Sequence, residues 1–131
     1  MKRLVVIALA LMLVFSTAAC SGSAAKETKK ADDKITVGVV QTNANESDWR
    51  TANTKSINEA FAAAGFETKM VFGEGDHAKQ IAEAQQLIQE EVDYLIILGL
   101  QSAGWEDVAK SAKAAGIPLI MVDRKLDLTE D

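Results

Sequence analysis

From Lys34 onward the chain alternates between two periodicities, and this alternation constrains its fold more than any other feature. Four apolar runs, Ile35 to Val40, Phe66 to Phe72, Tyr94 to Leu98 and Leu119 to Val122, have strand length. Three of them are nearly unbroken in apolar residues, as strands are when both faces of a parallel sheet are covered. Between the runs the apolar residues shift to helical spacing. Ile57, Ala60, Phe61 and Ala64 fall at i, i+3, i+4 and i+7 before Gly65, Ile81, Ala84, Leu87 and Ile88 form a second stripe, and Trp105, Val108, Ala109 and Ala112 form a third before Gly116. Asp76 is placed to cap the second helix, and Pro118 stands where the last strand begins, at the position where a missing amide donor does least harm. Four strands and three crossover helices predict an α/β domain with a doubly wound parallel sheet.

In such sheets a ligand sits beyond the carboxyl ends of the strands, so the loops there carry the functional question. Two of them are rich in recognition chemistry: Gln41 to Arg50 after the first strand, and Asp123-Arg124 after the fourth. Asp123 is an acceptor-only carboxylate and Arg124 a planar fork of donors, which together suit the vicinal hydroxyls of a polyol, although a surface ion pair would read the same way. Trp49 offers a flat apolar plate for a sugar ring or, alternatively, a staple at a helix start, while Glu46 and Arg50 bring charge to the same loop.

The first 33 residues have a different character. Lys2 and Arg3 precede the apolar run Leu4 to Phe15, then Ser16-Thr17-Ala18-Ala19-Cys20 follows, the order of a secretory signal. Twelve apolar residues make only about 18 Å of helix, too short for a bilayer core of about 30 Å. The small residues before the lone cysteine resemble a bacterial lipobox, with Thr17 in place of the usual leucine, which implies lipidation at Cys20. The expected division is a signal peptide over 1–19, a lipid-anchored tether over 20–33, built of Ser, Gly, Ala and charged residues without a larger aliphatic side chain, and a folded segment over 34–131. Lys2 and Arg3 depart with the signal, so 12 basic residues of the 14 then face all 19 acidic ones. That surplus of negative charge argues against nucleic acid as a partner.

Val37-Gly38-Val39-Val40-Gln41, Glu46-Ser47-Asp48-Trp49-Arg50, Gly104-Trp105-Glu106 and Ala114-Ala115-Gly116-Ile117-Pro118 through Val122-Asp123-Arg124 together resemble the periplasmic sugar-binding proteins of ABC transporters. The type is the ribose- and galactose-binding one, and the Trp-Arg pair is most similar to its galactofuranose-binding branch. The resemblance covers Ile35 to Leu128. It implies the amino-terminal lobe of a type I periplasmic binding protein fold and a monosaccharide ligand. Trp49, Arg50, Asp123 and Arg124 are the sugar-binding residues it implies, with Glu46 and Gln41 beside them. It further implies an ABC permease as partner, no cofactor and an extracytoplasmic place. Members of that family close two similar lobes around the sugar, so 131 residues are expected to be a truncated form.

Other chemistry has weaker support. Gly73-Glu74-Gly75-Asp76-His77-Ala78 fits a dinucleotide fingerprint in letters, the basis for a secreted oxidoreductase as a rival reading, but Glu74 and Asp76 would oppose a pyrophosphate and no acid follows the next strand. His77 with Glu74 and Asp76 is too local to make a metal site by itself, and His77 reads as a solvated first-turn residue. One cysteine and one histidine leave nucleophilic catalysis without a visible carrier. A sugar-sensing receptor lobe for a membrane kinase or chemoreceptor would use the same residues with a different partner surface. Trp105, on a helical stripe, is expected in the core.

Overall fold

The computed structural model of the chain describes residues 34–128 apart from Asn45. The apolar run Leu4 to Phe15, Cys20 and the tether lie outside the described residues. Within them the elements follow one another as β1 (Thr36–Gln41), α1 (Asp48–Ala63), β2 (Glu67–Phe72), α2 (His77–Gln89), β3 (Tyr94–Ile97), α3 (Glu106–Ala114) and β4 (Leu119–Met121). The strands form a parallel sheet in the order β2-β1-β3-β4, with Thr36 opposite Glu67, Val37 opposite Tyr94 and Leu95 opposite Leu119. This is the doubly wound α/β architecture that the alternating periodicities predict. Strand boundaries differ from expectation by a residue: β1 runs on through Gln41, and β3 ends at Ile97, with Leu98 still donating its amide to the Val40 carbonyl at 2.9 Å.

Two apolar layers sandwich the sheet. On one face Val40, Leu95 and Ile97 meet Leu87 and Ile88 of α2 and Val108 of α3. On the other, Val37, Val39, Ile96 and Leu98 meet Ile57 and Phe61 of α1. Side chains alternate across the sheet with period two, which is why neighbouring residues of β1 and β3 serve opposite layers. Gly38 permits the close approach of α2, because a Cβ there would lie 3.1 Å from Leu87 Cδ1. Each fully buried aliphatic side chain contributes about 1.5–3 kcal/mol, so Leu87→Ala is costly at the centre of this layer.

Helix ends follow the local chemistry. Ser47 accepts the Arg50 amide to start α1, Asp76 accepts those of Ala78 and Lys79 to start α2, and Gly65 and Gly116 turn the chain with φ of +81° and +66° after α1 and α3. Three expectations are corrected. Ala60 and Ala64 of the first stripe are exposed, because the apolar contact of α1 with the sheet runs through Ile57 and Phe61. Tyr94, expected in a fully buried strand, is 40% exposed at the amino end of β3. It borders an apolar hollow of about 230 Å³ lined also by Ile35, Val37, Phe61, Phe66, Ile96 and Ile120. His77, expected in solvent, is half-buried: its Nε2 lies 2.9 Å from the Ala103 carbonyl and its ring meets Trp105 edge-on at 5.3 Å.

Candidate functional site

α1 leads from β1 to β2 on one side, and α2 carries the chain back past β1 to β3 on the other, so the sheet reverses its winding between β1 and β3. The crevice beyond their carboxyl ends is where a ligand enters such a sheet.

Gln41 closes β1 on the α1 face and is fully buried. Its Nε2 donates to Thr54 Oγ1 at 3.2 Å and approaches Met70 Sδ at 3.6 Å, and its Oε1 has no partner among the described residues. Thr42, the next residue, donates its hydroxyl to Glu46 Oε2 at 2.8 Å, which ties the loop across its own base.

The Ser47 cap sets the first turn of α1 so that Trp49 and Arg50 leave it in different environments. Trp49 is 54% exposed, an open plate rather than a staple, whereas Arg50 is only 7% exposed. The Arg50 guanidinium carbon lies 4.8 Å from the Trp49 ring centroid. Its Nη2 donates to Asp123 Oδ2 at 3.3 Å, its Nε is 3.9 Å from Glu46 Oε1, and its Nη1 is buried with no partner among the described residues. Burying a charge is costly unless it is paired, so Asp123 is the group that makes this position tolerable for arginine.

Asp123 arrives from the other end of the chain. The Val122 amide reaches back to the Ile97 carbonyl at 3.0 Å, and the Arg124 amide bonds the Val122 carbonyl at 2.9 Å around an Asp123 with φ of +74°. An i to i+2 bond around a positive φ is the strained kind of γ-turn, which costs energy and aims the carboxylate away from the strand line. Asp123 and Arg124 do not pair with each other. Asp123 takes Arg50, while Arg124 donates from Nη1 to the Leu100 carbonyl at 2.8 Å and thereby holds the loop after β3.

The candidates Glu46, Arg50 and Asp123 are thus linked along the carboxyl edge, whereas the Gln41 side chain turns to Thr54 and Met70 instead. Trp49 stands beside them, and Arg124 braces the neighbouring loop. Asn53 was not singled out from the sequence; it is half-buried, with an Oδ1 that has no partner among the described residues. Its place three residues after Arg50, on one helix face, is the signal that could have found it. The glycine loop before α2 has a packing reason instead. A Cβ on Gly73 would lie 2.8 Å from the Gln80 Cβ, and Glu74 pairs with Lys79 at 2.7 Å. Trp105 is fully buried and donates to the Gln101 carbonyl in the loop after β3 at 2.9 Å, as a core residue that braces that loop. No group of three or more His, Cys, Asp and Glu able to hold a metal ion occurs among the described residues.

In chemical terms the edge offers a carboxylate with an oxygen to spare, a preformed guanidinium with an unused N–H group, a buried amide oxygen and an exposed indole face. Such a set has the chemistry to hold a small polyhydroxylated ring, with polar groups for its hydroxyls and an indole for its less polar face.

The comparisons with known proteins point the same way. The chain is 38% identical over 130 residues to the fructose import binding protein FruE of Bifidobacterium longum, a match covering 98% of this chain and 39% of that protein. It is 32% identical over 108 residues to the galactofuranose-binding protein YtfQ of Escherichia coli, covering 82% of this chain and 34% of that one. A Mycobacterium smegmatis structure in complex with β-D-fucofuranose superposes with a TM-score of 0.69 at 40% identity, over 74% of this chain and 31% of the other. The chain therefore spans about two fifths or less of the length of these relatives. Residues 37–131, from the second residue of the first strand onward, match the periplasmic binding protein domain, and the chain belongs to that family.

Proposed function

We propose that the chain is the ligand-binding part of an extracytoplasmic solute-binding protein that captures a monosaccharide, in its furanose form, for an ABC importer. The observation that carries the reading is the pairing of a nearly buried Arg50 with a strained Asp123, 73 residues apart in sequence, at the carboxyl edge where the sheet changes winding. In this reading Asp123 accepts from two neighbouring hydroxyls, Arg50 and Arg124 donate to ring or hydroxyl oxygens, Trp49 lies against the apolar face, and Glu46 and Gln41 complete the polar lining. The furanose form is supported by the galactofuranose and fucofuranose named for two of the relatives. Residues 1–19 serve as the export signal, and Cys20 carries a lipid that keeps the folded part at the membrane through the tether over 20–33. Two acyl chains or more anchor stably where one does not.

The test is calorimetric titration of the full-length protein with D-galactose, D-fructose, L-arabinose and methyl β-D-galactofuranoside, with NADH as a contrast. Saturable binding of at least one sugar, and none of NADH, supports the reading. Saturation by NADH with no sugar bound would replace it with the dinucleotide alternative.

A further inference from the structure

Gln80 lies on α2, outside every loop that the sugar-binding reading uses, yet it is fully buried at the carboxyl edge of the sheet. Its amide works as a two-sided clamp: Nε2 donates to the Leu98 carbonyl at 2.9 Å, and Oε1 accepts the Leu100 amide at 2.9 Å. These bonds fix the chain where it leaves β3. Beyond the clamp, four successive carbonyls are each taken from a different direction. Leu100 accepts from Arg124 Nη1 at 2.8 Å, Gln101 from Trp105 Nε1 at 2.9 Å, Ser102 from the Asp127 amide at 2.9 Å, and Ala103 lies 2.9 Å from His77 Nε2. Gln80 and Arg124 therefore grip opposite ends of one residue, Leu100, the glutamine at its N–H and the arginine at its C=O.

We propose that Gln80 is the positioning residue that sets the Arg124 guanidinium at the binding edge. Arg124 is exposed and hangs from a strained turn, so its place depends on a fixed acceptor. The Leu100 carbonyl is that acceptor, and it is fixed by the clamp. Gly73 completes the arrangement from below: with a Cβ there only 2.8 Å from the Gln80 Cβ, any larger residue presses the clamp out of line. An apolar side chain of similar length on α2 would fill the space and leave the Leu98 carbonyl and the Leu100 amide unpaired, a loss that local rearrangement of the loop relieves. The part of this proposal that concerns sugar affinity rests on the function proposed above; the part that concerns Arg124 does not.

The experiment compares the full chain with Gln80→Met, with Gly73→Ala, and with Val108→Ala, which opens a cavity in the core on the α3 side and removes no hydrogen bond of the loop. The first readout, without sugar, is the Arg124 side-chain NMR resonance together with hydrogen exchange at the Leu100 amide. Gln80→Met is expected to move the Arg124 resonance toward that of a free arginine and to speed Leu100 exchange at least about tenfold, the factor that corresponds to about 1.4 kcal/mol. Gly73→Ala is expected to do the same in smaller degree, and Val108→Ala to leave the Arg124 resonance in place at an equal loss of melting temperature. The second readout is affinity for whichever sugar of the panel the unaltered protein binds, expected to fall about tenfold in Gln80→Met. An unmoved Arg124 resonance in a folded Gln80→Met overturns the positioning role, as does an equal movement in Val108→Ala. If Gln80→Met does not fold, Gly73→Ala decides by the same criterion. Failure of the unaltered protein to bind any sugar overturns the proposed function instead, and the Arg124 resonance still decides the role of Gln80.

Discussion

Replacing Asp123 should separate two costs that the structure assigns to that position, and their signs oppose the usual ones. The Arg50 side chain is 8% exposed and its partner 41%, with 3.3 Å between Nη2 and Oδ2. Removing one partner of a fully buried pair costs about 3–5 kcal/mol, and an exposed pair contributes about 0–1 kcal/mol. A pair buried on one side only, at a long contact distance, belongs near the lower of these ranges, at about 1 kcal/mol. The second cost is in the backbone: at φ of +74° a Cβ is strained by about 1–2 kcal/mol, which aspartate tolerates better than alanine does and glycine avoids. Asp123→Ala therefore loses the pair, about 1 kcal/mol, and adds the strain by which alanine exceeds aspartate at this φ, for a total of about 1–2 kcal/mol. Asp123→Gly loses the pair and sheds the strain, so it should be the more stable of the two. Glycine is ordinarily worse than alanine inside ordered structure by about 0.5–1 kcal/mol, which makes the reversed order diagnostic. In a domain of this size about 1 kcal/mol corresponds to about 4–8 °C, so Asp123→Ala should melt about 4–16 °C below the unaltered chain by circular dichroism, with Asp123→Gly above the alanine variant. Alanine melting at or above glycine would refute the strained-turn argument, and no loss in either variant would refute the claim that Asp123 compensates the buried Arg50.

Further outcomes follow from other parts of the molecule. Trp49→Ala should change melting by less than about 0.5 kcal/mol, because the indole is half exposed, yet weaken sugar binding by about 1 kcal/mol or more in calorimetry; a large stability loss would return Trp49 to the structural staple it was weighed against. Cys20→Ser should move the protein from the membrane fraction to the medium or leave it unprocessed, and unchanged membrane association would remove the lipid anchor. Glu90 is held below the ordinary glutamate value, first by the hydrogen bond from Lys69 at 2.7 Å. A depressed folded-state value means that its stabilisation is present above the ordinary glutamate pKa and is lost as pH falls through the folded value. The melting difference between the unaltered chain and Glu90→Gln should accordingly be small at neutral pH and vanish in acid, and a difference that grows on acidification would contradict the assignment.

The sheet was legible because β1 and β3 are covered on both faces, and such strands are written as unbroken apolar runs. Asp76 was legible as a cap because the reason for it is local. What could not be read depends on partners distant in sequence. Arginine is ordinarily a surface residue, and the burial of Arg50 is set by a carboxylate that arrives 73 positions later. Gln80 sits among polar helical residues, and nothing short of the folded β3 loop distinguishes it from Gln85 or Gln86. Asp123 and Arg124 read as a single device, whereas a turn around Asp123 sends them to different elements. Ala60 and Ala64 misled because alanine fits the helical stripe by position while burying too little surface to require a partner.

The central claim is that a monosaccharide occupies the carboxyl edge between α1 and the end of β4. A crystal structure of the full-length protein grown with whichever sugar of the panel it binds tests this most directly. The account predicts a sugar hydroxyl oxygen at about 2.5–3.0 Å from an Asp123 carboxylate oxygen, a donor contact from Arg50, and the Trp49 ring against the sugar's less polar face. A sugar seated elsewhere, with Asp123 and Arg50 still paired only to each other and no sugar atom within hydrogen-bond reach, would contradict it.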